Sequence, residues 1–371
     1  MFQLQQKREL QRSRSWKTML AMALCFSGLL AALSAYGTNN PHATAAHQAQ
    51  ASTPTGAAQA ADPEVNKVIE KLTAAGVLRM ASVEDVRKAY AFYPSLAGKP
   101  EKVFRVEDKL IPGPGGQIPI RLYFPQAGRG LPIFVFFHVG GFVAGDLDTD
   151  DVPLRSIANR CGCIVLSVAY RLAPANHYPA APDDCYAATK WAAEHAAEFG
   201  GDARRIAVGG EGAGGTLAAV VALMSRDRGG PPLILQVLIY PSLDADMMRT
   251  SRYLSHDPTI TPDTVAAMLG AYLPTITKNL EDPYISPVYA TNLKSLPSAL
   301  FVTDEDDPGR DESDDYARRL TGAGVKVQVS RYPNMIHGFF LMTGELSAAR
   351  KAVDEVSLAL KASFETAQPA K

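Results

Sequence analysis

The sequence is short of most features that would place it in a specialised class. Neither charge is in excess: 37 Lys and Arg stand against 38 Asp and Glu, for a net charge of -1. That balance excludes the basic stripe on which nucleic-acid binding depends. There are only 4 cysteines, Cys25, Cys161, Cys163 and Cys185, and neither their spacing nor the neighbouring histidines make a ligand set, so no metal and no cofactor is expected. No internal repeat is visible, which argues against solenoids and propellers. Residues 36–61 contain no Lys, Arg, Asp or Glu and almost no bulky apolar side chain to offset the entropy of ordering them, so they read as a disordered linker.

Against these absences, 47% of the chain is hydrophobic, ample for a buried core. One long uncharged apolar run, Met19 to Ala35, follows the basic residues Lys7, Arg8, Arg12, Arg14 and Lys17. Residues 1–35 therefore read as a signal peptide or signal anchor. At about 17 residues the run is short for a spanning helix, where roughly 20 are typical, which favours cleavage. The expected location is periplasmic or secreted, with membrane contact only through residues 19–35 if the segment is retained. Cys161, Cys163 and Cys185 are expected as small buried hydrophobes, and in an oxidising compartment a pairing such as Cys163 with Cys185 stays open.

From Asp62 onward about 310 residues remain, near the upper size for one core, so 62–371 is expected as one large domain with a subsidiary piece. Helical periodicity covers Asp62 to Ala75 and Ser82 to Tyr93, and a strand pair flanks the turn Pro112-Gly113-Pro114-Gly115-Gly116. Apolar runs at Pro132–Phe137, Cys163–Val168, Arg205–Val208, Leu233–Ile239 and Ala299–Val302 then alternate with helical segments, and a last strand fits Lys326–Arg331. Continuous apolar strands separated by helices indicate a mostly parallel central sheet covered on both faces. The insert at about 243–285, with a helix near Pro262–Leu273, interrupts this rhythm and could pack with residues 62–100 as a cap.

Chemistry in such a sheet is expected at the loops leaving the carboxyl ends of the strands. The loop His138-Val139-Gly140-Gly141-Phe142 has the layout of an oxyanion hole, because its glycines let backbone N–H groups approach a ligand oxygen. In Ile206–Ala219, Gly210 and Gly214 flank position 212 at the spacing of a nucleophile elbow, with the helix expected to start at Gly215 and Thr216 and the Ala213 amide pointing into the same hole. A phosphate-binding reading of that loop is weaker, because no Lys-Ser/Thr pair follows and the spacing is not that of a dinucleotide fingerprint. In the run Asp304 to Asp311 most carboxylates are expected to face solvent at a helix start, while one of them, just past a strand, could orient a histidine. His337 follows the last strand. The chain order elbow, acid, histidine then matches Ser, Asp, His, except that position 212 is glycine. Ser242 has nothing in the sequence to bring it beside His337.

The motifs HVGGF, YRLAPANHYPAAPDDC (Tyr170–Cys185), GGEGAGG, DDPGRDE and MIHGF, in this order, resemble the bacterial hormone-sensitive-lipase group of carboxylesterases within the α/β-hydrolase fold. The resemblance implies Asp307 as the acid, His337 as the base, Gly140, Gly141 and Ala213 as oxyanion-hole donors, and His138 as a brace for that loop. It also implies a helical cap and substrates that are esters of short acyl chains. Two positions depart from it: Val139 stands where the group has glycine, and Gly212 where it has the nucleophilic serine. Three functions stay open: a hydrolase in which His337 activates water, a catalytically silent pseudoenzyme that binds a small ester or carbonyl compound, and a lyase or dehydratase using the His337 base. A homodimer is compatible with each.

Overall fold

The computed structural model describes residues 62–273 and 279–367. The signal or anchor expected at 1–35 and the linker at 36–61 lie outside the described residues. Among the described residues, no helix is long and apolar enough to cross a membrane.

Helix α1 (Pro63–Ala74) starts where the Asp62 side chain accepts the Glu64 N–H at 2.7 Å, with proline in its first turn. Helix α2 (Val83–Phe92) is capped in the same way by Ser82. Strands β1 (Arg105–Gly113) and β2 (Gly116–Phe124) form the antiparallel hairpin expected around the Pro-Gly turn. Then come β3 (Leu131–Phe137), α3 (Asp151–Cys161), β4 (Ile164–Val168), α4 (Ala180–Glu194), β5 (Gly201–Glu211), α5 (Ala213–Asp227) and β6 (Leu233–Ile239). After an insert carrying α6 (Pro262–Tyr272), the chain completes β7 (Ser298–Asp304), α7 (Arg310–Gly322), β8 (Val327–Tyr332) and α8 (Ser347–Thr366).

The sheet has eight strands in the order β1-β2-β4-β3-β5-β6-β7-β8, parallel from β4 to β8 and antiparallel at β1 and β2. Every residue of β3 and β4 is buried, as continuous apolar strands covered on both faces require. The edge strand β8 instead mixes exposed and half-buried positions. Helix α5 is buried from Ala213 to Ser225, so it runs through the core.

Helix α5 begins at Ala213, two residues before the expected start. Gly212, at φ 51° and ψ -114°, turns the chain so sharply that its carbonyl already accepts the Thr216 N–H at 3.0 Å. The cysteine expectation also needs correction. Cys161 and Cys163 form a disulfide and Cys185 is free and buried. Gly162 ends α3 in a left-handed conformation, φ 67°, and folds the chain back so that the flanking Cα atoms stand 5.5 Å apart.

The insert is tied down from below. Arg252, almost fully buried, pairs with Glu312 of α7 at 2.9 Å and donates to the Asp244 carbonyl, while Glu312 accepts the Leu243 N–H at 2.8 Å. Burial pushes the Glu312 carboxyl up to about 7 despite the Arg252 charge.

The end of β3 and the start of α5 touch through backbone. A Cβ at Gly214 would fall 1.9 Å from the Phe137 carbonyl oxygen and 2.6 Å from that of His138. Gly214→Ala should therefore destabilise the protein by on the order of 3 kcal/mol, since neither strand nor helix can retreat. Urea unfolding of the variant measures this, and an unchanged midpoint would show that the two segments do not meet this closely.

Candidate active site

The loop after β3 is held from behind. His138 is fully buried, stacks on Tyr170 at 4.1 Å, and places Nδ1 2.8 Å from the Val139 carbonyl oxygen. Burial lowers its pKa to about 4, so the ring is neutral and Nδ1–H donates to that carbonyl. The Tyr170 hydroxyl donates to the His138 carbonyl at 2.8 Å. Beyond this anchor Gly140 and Gly141 adopt φ 123° and 60°, and Gly140 turns its carbonyl toward the N–H groups of Val143 and Ala144. Neither the Gly140 nor the Gly141 amide donates to a backbone carbonyl among the described residues. The Ala213 amide opens α5 and so has no acceptor within the helix.

His337 lies in the loop after β8. Its Nδ1 stands 2.8 Å from Asp307 Oδ2, and its backbone N–H donates to Asp257 Oδ2 at 2.5 Å. The second oxygen of Asp307 accepts the Gly309 N–H at 2.5 Å, which fixes the carboxylate in place. The other face of the imidazole is turned to position 212: an ideal Cβ on Gly212 would lie 3.2 Å from His337 Nε2 and 3.1 Å from Val139 Cγ2.

Gly141, Gly212, Ala213 and His337 share one cavity, whose walls include Val139, Tyr90 of α2 and Met268 of α6. Gly140 and His138 stand behind it in the same loop. Helix α6 leans on the glycine loop, with Met268 against Gly141 and Tyr272 stacked on Phe142 at 4.0 Å. The cavity offers about 50 Å³. One water needs roughly 10–15 Å³ on this measure, so a few waters or a short acyl group fit.

The acidic loop differs from its reading as solvent-facing charge. Glu305 alone among its carboxylates is exposed. Asp306 and Asp311 accept backbone N–H groups of His256 and Ser251 at 2.9 Å each, because the insert folds down over this loop and its amides need acceptors. Asp304 is fully buried next to Asp307, and burial with that neighbouring charge holds its pKa well above the usual range.

Several residues of the site escape a sequence reading. Asp257, buried in the insert, has no motif around it. Ser242 lines the same cavity as His337. The Thr216 hydroxyl donates its one proton to the Ser242 carbonyl at 2.5 Å, with the Gly212 carbonyl farther off at 3.2 Å, and so ties the segment after β6 to the turn. Glu211, just before Gly212, is buried and accepts the Tyr240 hydroxyl at 2.5 Å, and burial with the neighbouring Asp150 raises its pKa well above the usual carboxylate range.

The arrangement provides an oriented imidazole, amides free to receive an oxyanion, and no side chain at the position between them. That set can remove a proton from water or from a carbon acid next to a carbonyl.

A family model described as alpha/beta hydrolase fold matches residues 134–341. The carboxylesterase NlhH of Mycobacterium tuberculosis is 38% identical over 310 residues, covering 81% of this chain and 97% of that enzyme. Among solved structures, a hyperthermophilic esterase from Pyrobaculum calidifontis is 38% identical with a TM-score of 0.77, over 83% of this chain and 99% of the other. An ester hydrolase from the metagenome of Lake Arreo superposes with a TM-score of 0.78 at 35% identity, over 82% and 99%.

Burial alone lowers an imidazole pKa, but the Asp307 charge and hydrogen bond, with Asp257 beyond, outweigh it, and the His337 value is raised above 6.5. Because the folded value exceeds the unfolded one, the pair contributes stability that is complete below pH 6.5 and is lost as pH rises through the folded pKa. In Asp307→Asn burial is less opposed, so the His337 midpoint followed by NMR should fall. Identical midpoints in both proteins would refute this electrostatic account.

Proposed function

Since the chain belongs to the α/β hydrolase fold family as a carboxylesterase-like hydrolase, we propose that it cleaves small or short-acyl esters with a water molecule at the Gly212 position in place of a serine. The observation that carries this reading is the 3.2 Å between His337 Nε2 and the point where a Cβ would stand on Gly212. A water oxygen at that point is within reach of the imidazole and faces the glycine loop.

In this mechanism the ester carbonyl lies with its oxygen toward the amides of Gly140, Gly141 and Ala213. His337 Nε2 takes a proton from the water, whose oxygen bonds to the carbonyl carbon. The amides receive the resulting oxyanion, and Asp307 stabilises the imidazolium. Collapse re-forms the carbonyl and breaks the bond to the alcohol oxygen, which takes the proton back from Nε2. An acid and an alcohol leave, and no acyl-enzyme forms. Loss of a nucleophile costs serine hydrolases roughly 10⁶ in turnover but leaves about 10³ to 10⁴ over water, so slow hydrolysis is expected. The small cavity supports short acyl chains. The basic stretch and the apolar run Met19–Ala35 support export, and the Cys161–Cys163 disulfide fits an oxidising compartment.

The decisive assay sets the purified protein beside His337→Ala on aryl acetates and butyrates. The unaltered protein should be faster by about 10² or more, the share of a general base, and its rate should rise with pH as His337 loses its proton above 6.5. A serine-directed phosphonate should not label it. Equal rates in the two proteins would remove the hydrolase reading and leave those of a silent binder and of a lyase using the His337 base.

A further inference from the structure

Gly212 is not the only residue that departs from a serine-bearing site, and the two departures meet in space. Val139 Cγ2 stands 3.1 Å from the ideal Cβ position of residue 212, closer than a methyl and a methylene ordinarily approach. The methyl has little freedom to withdraw. Val139 is buried at 1% exposure, its carbonyl is held by His138 Nδ1 at 2.8 Å, and its β-branched side chain is stiff about χ1. On the far side of the seat stands His337, itself fixed by Asp307 and Asp257.

We propose that Val139 and Gly212 act as one unit in which the valine methyl occupies space that a side chain at 212 requires, restricting the seat beside His337 Nε2 to a single water-sized group. The nucleophile position is therefore closed by a neighbour as well as vacant. Restoring the hydroxyl alone leaves it crowded, misdirected from the imidazole, or displacing Val139 and with it the glycine loop that Val139 begins. This inference stands apart from whether the unaltered cavity hydrolyses an ester, because an introduced serine brings its own nucleophile.

The test compares Gly212→Ser, Val139→Ala and the double variant, with Val139→Gly plus Gly212→Ser as a second double should the first fold poorly. Each is treated with an alkyl fluorophosphonate: serine Oγ bonds to phosphorus, fluoride leaves, and His337 accepts the hydroxyl proton. The double variant should be labelled about tenfold or more faster than Gly212→Ser, while Val139→Ala and the unaltered protein remain unlabelled. Thermal unfolding gives an independent reading. Gly212→Ser should lower the melting temperature, and Val139→Ala should recover part of that loss in combination although it destabilises alone, a non-additive cycle. Equal labelling of single and double variants, at any level including none, together with additive melting temperatures, overturns the proposal.

Discussion

The close backbone contact between the end of β3 and the start of α5 is the constraint on which the site depends. Gly214 lies so near the Phe137 and His138 carbonyls that no side chain fits between them. Two loops far apart in sequence thereby line one cavity, Gly141 of the glycine loop from one side and Ala213, the first residue of α5, from the other. Gly212 keeps φ 51° and ψ -114° because the strand before it and the helix after it are both locked in the core. The turn is thus set by its surroundings and does not need a serine to define it.

Charge organises the opposite wall. The carboxylates after β7 bind the insert through its backbone amides, and one of them orients His337. Asp257 comes from the insert itself and holds the His337 backbone. The buried Arg252–Glu312 pair secures the same segment from beneath, and loss of either partner would leave the other charge buried and uncompensated. The imidazole is consequently held from the sheet side and from the insert side at once, so its position and the shape of the cavity above it are coupled.

Much of this was legible beforehand. Apolar runs of strand length, separated by helices, announce a parallel sheet whatever their contacts, and Asp307, His337, Gly140, Gly141, Ala213 and His138 each stand in a short motif at a strand end. Asp257, Ser242 and Asp304 were not legible as site residues. Asp257 and Ser242 have no local pattern around them, and their importance arises from the insert folding over the acidic loop and from Thr216 tying the segment after β6 to the turn. Similarly, the Cys161–Cys163 bond follows from the reversal at Gly162, which a spacing of two residues does not announce.

The sequence by itself therefore determined the layers of the fold, the chain order of turn, acid and histidine, and the absence of a hydroxyl at 212, because periodicity and motif spacing are local properties. Tertiary structure alone decided that Asp257 of the insert holds the His337 backbone, which serine lines the cavity, and that the Val139 methyl crowds the empty position. Those outcomes depend on distances between segments that meet only after the sheet has assembled, and local residue order does not encode distances of a few ångströms across a packed core.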